Sequence, residues 1–319
     1  MSKIITLRPN RETIRPVLTL LTSHRIDCIL LCLRSLERFT NLGRFKKIYI
    51  VANAVDPDHA AIIHRFMYTH ENVEVIHCSP RGLAPAVNSV QNEILARHVD
   101  DVIVKMDEDV FVAPLWLEHL LEGYQAHRIR EDIPVVSALS PVSPTGRFAL
   151  NRFLKNNNIA ERAMFEGGVV EENWVYHRWM WEKVTGEDFV EAWLASNPQP
   201  YFYPGFATLN CVVYDRRLIE AVLPLPTAPG FNGVPYSTGS DGLAVNAALA
   251  ANKWKNAVVS RAIAHHYSFS KCEEYLRSHV PLDIVWQYLQ ELWRQERIKA
   301  QGFTTRKLRP VLTMAGSGA

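Results

Sequence analysis

The stretch Asp101–Val112, DVIVKMDEDVFV, decides the fold. Val102, Ile103, Val104 and Met106 make the apolar run that a parallel strand shows when both of its faces are covered. The run ends in three acids, Asp107, Glu108 and Asp109. In open α/β sheets ligands bind outside the carboxyl ends of the strands, so these acids stand where a site is expected. An Asp-x-Asp pair there can hold a hard divalent cation, with nucleotide phosphate oxygens completing its shell. The same residues also describe a solvated turn after a core strand, and their surroundings decide between the two.

Upstream and downstream, strand-like and helix-like segments alternate. Strands are predicted over Val17–Thr22, Lys47–Ala52, Val73–His77 and Pro134–Leu139. Helices are predicted over Asp27–Phe39, Pro57–His70, Ala84–His98 and Pro114–Gln125. Repeated βαβ units of this kind require crossovers and a parallel sheet. The pattern changes after Pro141, where residues 141–204 are rich in Asn, Arg, Glu and Trp without strand alternation. Beyond them a strand is predicted from Phe206 to Tyr214, a helix from Asp215, a helix over Asp241–Asn252, and one or two short strands over Ala257–Ser268. The last residues form a long amphipathic helix and a basic tail.

The bulk numbers exclude several classes. The 319 residues, 48% hydrophobic and 21% charged, describe an ordinary globular chain with room for a large core. A net charge of +2 without a dense basic stripe gives no reason to expect nucleic acid. There is no 18-residue apolar span, and the first residues, MSKIITLRPNRETIRP, are too charged for a signal peptide. Five scattered cysteines form no CxxC pair, which suits a reducing, cytoplasmic setting.

Seven segments in order resemble the family 2-type glycosyltransferases with the GT-A nucleotide-sugar fold, over roughly residues 15–270. They are VLTLLTSHR, IYIVANAVDPD, SPRGLAPAVNSVQNEI, VIVKMDEDVFVAPLWLEHLL, GFATLNCVVYDRRLIEAV, GSDGLAVNAALAANKW and RAIAHHYSF. The resemblance implies a GT-A-like α/β fold: a mainly parallel sheet of βαβ units with helices on both faces, a helical insert and a C-terminal helix. It implies a nucleotide-sugar-binding half over residues 1–140 and an acceptor-binding half over 141–271. A C-terminal amphipathic helix and basic tail follow over 272–319.

The chemistry of sugar transfer fits these residues. A sugar nucleotide leaves as a diphosphate carrying extra negative charge, which a bound cation stabilises as a Lewis acid. Asp109 is the expected direct ligand, with Asp107 reaching the ribose or, through water, the metal. Glu108, placed with the nucleotide site, should point the other way by strand alternation. A late histidine is expected to join the cation, and register along the preceding apolar stretch favours His265 over His266; an imidazole ligand would favour manganese over magnesium. Asp241, framed by Gly239, Ser240 and Gly242, matches the family's general base, against the competing reading of a helix cap.

The resemblance places Thr22, Arg25, Asn53, Asp56, Arg81 and Asn88 around the nucleotide. The usual acid after the second strand is replaced by Ala52, with Asn53 and Asp56 as substitutes. Trp174, Trp181, Tyr203 and Asn210 are expected on the acceptor side, the aromatic rings as sugar platforms or as the core of the insert. The expected reaction is metal-dependent transfer of a sugar to a hydroxyl of a glycan, glycolipid or other glycoconjugate, inverting the anomeric centre. The rivals are a nucleotidyltransferase, which would show a glycine-rich basic loop where this chain has TSHRID, and a non-catalytic sugar- or nucleotide-binding protein on the same fold. In the tail, Leu282, Val285, Trp286, Leu289, Leu292 and Trp293 form an apolar stripe followed by six basic residues from Arg294 to Arg309. A helix packed on the body is the default for such a stripe, and peripheral membrane contact the alternative expectation.

Overall fold

The structure, a computed structural model, describes residues 14–79, 84–156, 187–196, 199–227 and 240–267, with single positions at 278, 282, 287, 290 and 294. The chain divides into two compact units, residues 1–280 and 281–319. The elements named below all belong to the first. The apolar stripe and basic tail expected after residue 281 lie outside the described residues, apart from helical backbone at Leu282, Gln287, Gln290 and Arg294. Among the described residues no helix is long and apolar enough to cross a membrane.

In chain order the elements are β1 (Val17–Thr22), α1 (Ile26–Phe39), β2 (Lys47–Ala52), α2 (Pro57–Thr69), β3 (Val73–His77), α3 (Ala84–Arg97), β4 (Ile103–Asp107), β5 (Val110–Val112), α4 (Trp116–His127) and β6 (Val135–Leu139). They continue with α5 (Pro144–Asn156), α6 (Glu187–Ser196), β7 (Tyr201–Phe202), β8 (Cys211–Tyr214), α7 (Arg216–Val222), α8 (Ser240–Ala251) and β9 (Asn256–His266). The strands form one mixed, mostly parallel sheet in the order β3-β2-β1-β4-β8-β6-β9-β5, with β7 paired to β9. Six strands run the same way, and β5, β7 and β8 oppose them.

The local reasons are visible in the sequence. α1 buries Cys28, Ile29, Leu31, Cys32, Leu33, Ser35 and Leu36 against the sheet. α2 opens on Asp56, whose carboxylate accepts the His59 N–H, with Pro57 in the first turn, where a missing N–H costs nothing. α7 opens the same way on Asp215, which accepts the Leu218 N–H. A core of buried side chains from β4, β6, β8, α3, α7 and α8 includes Ile103, Val135, Val212, Leu218, Ile94, Val245 and Leu249.

After β4 a turn at Glu108–Asp109 leads into β5, which leaves β4 to pair with β9. Two expectations about strands need correction. The region 257–268, read as one or two short strands, is a single strand of 11 residues. β9 is parallel to β6 at its start and antiparallel to β5 at its end, so it spans the distance between the sheet centre and the acids. The strand predicted from Phe206 begins only at Cys211, and the residues before it are turn and bend.

Of the tryptophans clustered before β8, Trp174, Trp179 and Trp181 lie outside the described residues. Trp193 is a core residue: it is 1% exposed, its indole N–H donates to the Ser260 carbonyl at 2.6 Å, and its ring packs 5.0 Å from that of Phe153. α4 rests on β9 through Gly123, where a Cβ would overlap the Val259 side chain. Gly123→Ala should therefore destabilise the protein by about 1–3 kcal/mol, the usual cost of overpacking. Urea unfolding would show it, and adding Val259→Ala should make the combined loss smaller than the sum of the two single losses. Simple additivity would mean that the two residues do not meet.

Candidate active site

The carboxyl end of β4 gathers charged side chains from five elements. Side chains alternate along a strand, so Lys105 and Asp107 share one face and Met106 takes the other. Lys105 is 4% exposed. Its ammonium donates to Asp107 Oδ1 at 2.6 Å and to the Leu209 carbonyl at 2.8 Å, and stands 3.5 Å from Asp241 Oδ2. Burial alone would lower the lysine's pKa; the neighbouring Asp107 and Asp241 outweigh it and hold the ammonium charged.

Asp109, in the turn, is also buried. Its Oδ2 accepts Arg25 Nη1 at 2.5 Å, and its Oδ1 lies 3.3 Å from His266 Nε2. Burial pushes this carboxyl up, but His266 and Arg25 together hold it below the ordinary carboxylate range. Antiparallel pairing of β5 with β9 sets Val110 opposite His266, which brings that imidazole beside Asp109.

The register expectation that favoured His265 fails. Between the pairs Ala138–Val259 and Leu139–Ile263, β9 carries three more residues than β6. Beyond this irregularity β9 pairs antiparallel with β5, and that pairing, Val110 with His266, puts the His266 imidazole beside Asp109. His265 is 0% exposed, and its ring sits 6.5 Å from that of Phe111 on the other face.

Asp107, Asp109 and His266 each offer one ligand atom, and these atoms lie within 4.8 Å of one another. Two carboxylate oxygens and one imidazole nitrogen suit a divalent cation of intermediate hardness, so the residues present fit a metal ion.

Glu108, in the turn after β4, points away from this cluster toward the loop after β1. Its Oε2 accepts the Thr22 hydroxyl at 2.6 Å and the Ser23 N–H at 2.9 Å, and its Oε1 accepts the Ser23 hydroxyl at 3.2 Å. Thr22 Oγ1 also meets His59 Nε2 at 2.7 Å, so the imidazole is the donor there. Burial lowers the pKa of His59, consistent with a neutral ring. Thr22 and Glu108 are thus engaged with each other, and they fasten the loop after β1 to the acidic turn.

Asp241 lies in the first turn of α8, with Oδ1 accepting the Gly242 N–H at 2.8 Å. Its Oδ2 is buried and accepts no hydrogen bond. Asn210 stands at the entry to β8: its carbonyl accepts the Asp107 N–H at 3.1 Å, and its side chain accepts the Cys211 N–H at 2.9 Å. Asn53 follows β2 and its N–H donates to the Thr22 carbonyl at 2.9 Å, while Asp56 caps α2. Asn88, on α3, donates to the Pro226 carbonyl at 2.7 Å and so ties α3 to the segment after α7. Arg81, Trp174 and Trp181 lie outside the described residues.

Tyr203 is not brought to this cluster. It follows β7, whose Phe202 pairs with Val258, eight residues before His266 in β9. Its hydroxyl meets His127 Nε2 at 3.1 Å and its ring faces Arg130.

The sequence profile of the family described as "Glycosyl transferase family 2" matches residues 21–178, from the end of β1 past α5, and takes in Asp107 and Asp109. Residues 21–178 are a family 2 glycosyltransferase domain. Among solved structures, the chain is similar to GalNAc-T7 with UDP, GalNAc and Mn2+, at 9% identity and TM-score 0.50, covering 92% of this chain and 52% of that one. It is also similar to the mannosyltransferase PcManGT from Pyrobaculum calidifontis in complex with GDP-Man and Mn2+, at 12% identity and TM-score 0.49, covering 81% of this chain and 59% of that one. The chain thus spans less than two thirds of either neighbour's length, and at such identity the likeness to GalNAc-T7 shows the fold alone. No curated protein matches the sequence.

Asn210, Asp241 and His266 lie beyond the segment that matches the glycosyltransferase domain, yet the sheet returns them to it. Sequence reasoning missed Lys105, Ser23 and His59, and placed Arg25 on the nucleotide without its bond to Asp109. A lysine inside an otherwise apolar strand, two residues before Asp107, was the available signal for the first. The geometry separates the two histidines experimentally. His266→Ala should weaken Mn2+ binding by on the order of 10–100-fold with little change in melting temperature. His265→Ala should leave the Mn2+ Kd in place and lower the melting temperature, as removal of a fully buried side chain does. Calorimetric titration of the two variants with Mn2+ would decide, and the reverse pattern would refute the assignment.

Proposed function

We propose that the chain transfers a sugar from a nucleotide-diphosphate sugar to a hydroxyl of a glycan, glycolipid or other glycoconjugate, with inversion at the anomeric carbon. The observation that carries this reading is the meeting of Asp107, Asp109 and His266 with Asp241 at one end of β4, the two groups joined by Lys105. Asp107, Asp109 and His266 would hold a divalent cation, manganese by preference since one ligand is an imidazole. When bound, such a cation supplies Lewis-acid neutralisation of the departing diphosphate.

The chain's own groups account for the rest. Arg25, fixed on Asp109, keeps positive charge beside the leaving group. Asp241 has one oxygen held by the Gly242 N–H, and this carboxylate, ion-paired with Lys105 through Oδ2, is the group assigned to take the acceptor's proton. A single attack assisted by one base displaces the leaving group from the opposite face, which inverts the anomeric centre. Asn53 and the residues around it would read the base where the family's usual acid is replaced by Ala52. The four described cysteines, Cys28, Cys32, Cys78 and Cys211, are free and buried, in keeping with a reducing compartment such as the cytoplasm. Peripheral membrane contact through the C-terminal stripe belongs to the same reading.

A panel of sugar nucleotides, assayed for nucleoside diphosphate release with Mn2+ and with a chelator, should give one donor whose turnover requires the metal. Asp241→Asn should then lower turnover by on the order of 10²–10⁴-fold and leave the donor Kd nearly unchanged. Near-normal turnover combined with a lower melting temperature would make Asp241 a helix-end residue and refute its role as base.

A further inference from the structure

We propose that Lys105 is a positioning residue: it fixes Asp241 relative to Asp107 and so sets the spacing between the donor side and the acceptor side of the site. The purpose of that spacing rests on the transfer reading above; the tie itself does not.

The geometry is specific. An ammonium has three N–H groups. One goes to Asp107 Oδ1 at 2.6 Å and one to the Leu209 carbonyl at 2.8 Å, and the remaining anion in reach is Asp241 Oδ2 at 3.5 Å. The three partners come from three elements: β4, the turn before β8, and the first turn of α8. That turn is itself anchored on both sides. Asn210 binds it to β4 through the Asp107 N–H, and Asn246 of α8 exchanges hydrogen bonds of 2.8 and 3.0 Å with the N–H and carbonyl of Ala207. Lys105 stands at the one point where all three meet.

Stability alone does not account for a lysine there. Its neighbours on the same face are the buried Ile103 of β4 and Val212 of β8, and an apolar side chain would continue that core. Replacing the whole charged group by well-packed apolar residues is often neutral or stabilising, so the fold alone does not call for it; once Asp107 and Asp241 are present, the ammonium is what keeps them compensated. What it does supply is a positive charge between two carboxylates that would otherwise repel across a buried gap. Asp107 serves the cation and the donor, and Asp241 serves the acceptor. A rigid link between them matters because a displacement of about 1 Å in a reacting group can cost on the order of 10²-fold in rate.

The test uses the whole chain and two variants. Lys105→Met removes the charge at similar volume, and Lys105→Ala opens a space that ethylammonium can fill. With the donor identified by the panel, kcat should fall on the order of 10²-fold in both variants while the KM values change little. Ethylammonium, and not 1-propanol, should restore part of the kcat of Lys105→Ala. Titration with Mn2+ alone gives a readout independent of turnover: the variants' Kd should be no higher than the wild type's, because Asp107 no longer shares itself with an ammonium. Unchanged kcat in Lys105→Met, or recovery of Lys105→Ala by both additives alike, would overturn the proposal, as would a Kd for Mn2+ higher than the wild type's. If no sugar nucleotide turns over even with the wild type, the transfer reading fails by itself, and the Mn2+ titration still judges the tie between Lys105 and Asp107.

Discussion

The structure depends on how three consecutive acids are neutralised at the end of a buried strand. Asp107, Glu108 and Asp109 sit in or next to the core, where unpaired carboxylates would be costly. Each is met by a partner from a different part of the chain. Lys105 meets Asp107 from within β4; Thr22 and Ser23 meet Glu108 from the loop after β1; Arg25 and His266 meet Asp109 from the start of α1 and the end of β9. Removing one partner would leave a buried charge uncompensated, which is far more destabilising than the pair is stabilising. The sheet order follows from the same requirement. β8 enters antiparallel beside β4 and presents the Leu209 carbonyl to Lys105, and β9 is long enough to reach back to β5 and deliver His266.

This arrangement gives the two carboxylates of the Asp-x-Asp pair different characters. Asp109 is held ionised by an arginine and an imidazole and has little freedom to move. Asp107 is about one third exposed and is held by one lysine, which it shares with Asp241. Asp107 and Asp241 are therefore linked by one ammonium group in addition to the backbone.

Much of this was legible in the sequence because strong local signals coincide with the fold. The apolar runs at Val17–Thr22, Lys47–Ala52 and Val73–His77 became β1, β2 and β3 at the boundaries read from them, and Pro57 and Asp215 marked helix starts through their backbone chemistry. Asp107 and Asp109 could be named because they close an apolar strand, and Asp241 because its segment resembles the family's. What was not legible depends on long-range pairing. The break between β4 and β5 is set by β9, about 150 residues later. The choice of His266 over His265 is set by the pairing of β9 with β5, which no local pattern announces. Tyr203 looked like part of an aromatic acceptor lip because it is near β8 in sequence, but β7 pairs with the opposite end of β9. Lys105 was passed over because a single lysine in a strand is ordinarily a snorkelling surface residue, and only its neighbours in space show that it is enclosed.

The central claim is that the carboxyl end of β4 is a cation site that receives a diphosphate. It is tested most directly by crystals grown with Mn2+ and a nucleoside diphosphate, with anomalous scattering used to locate the manganese. The account predicts a single strong peak within bonding distance of Asp109 and His266, with the diphosphate on its open side and Lys105 still between Asp107 and Asp241. A diphosphate bound elsewhere, or a manganese peak that touches none of Asp107, Asp109 and His266, would contradict it.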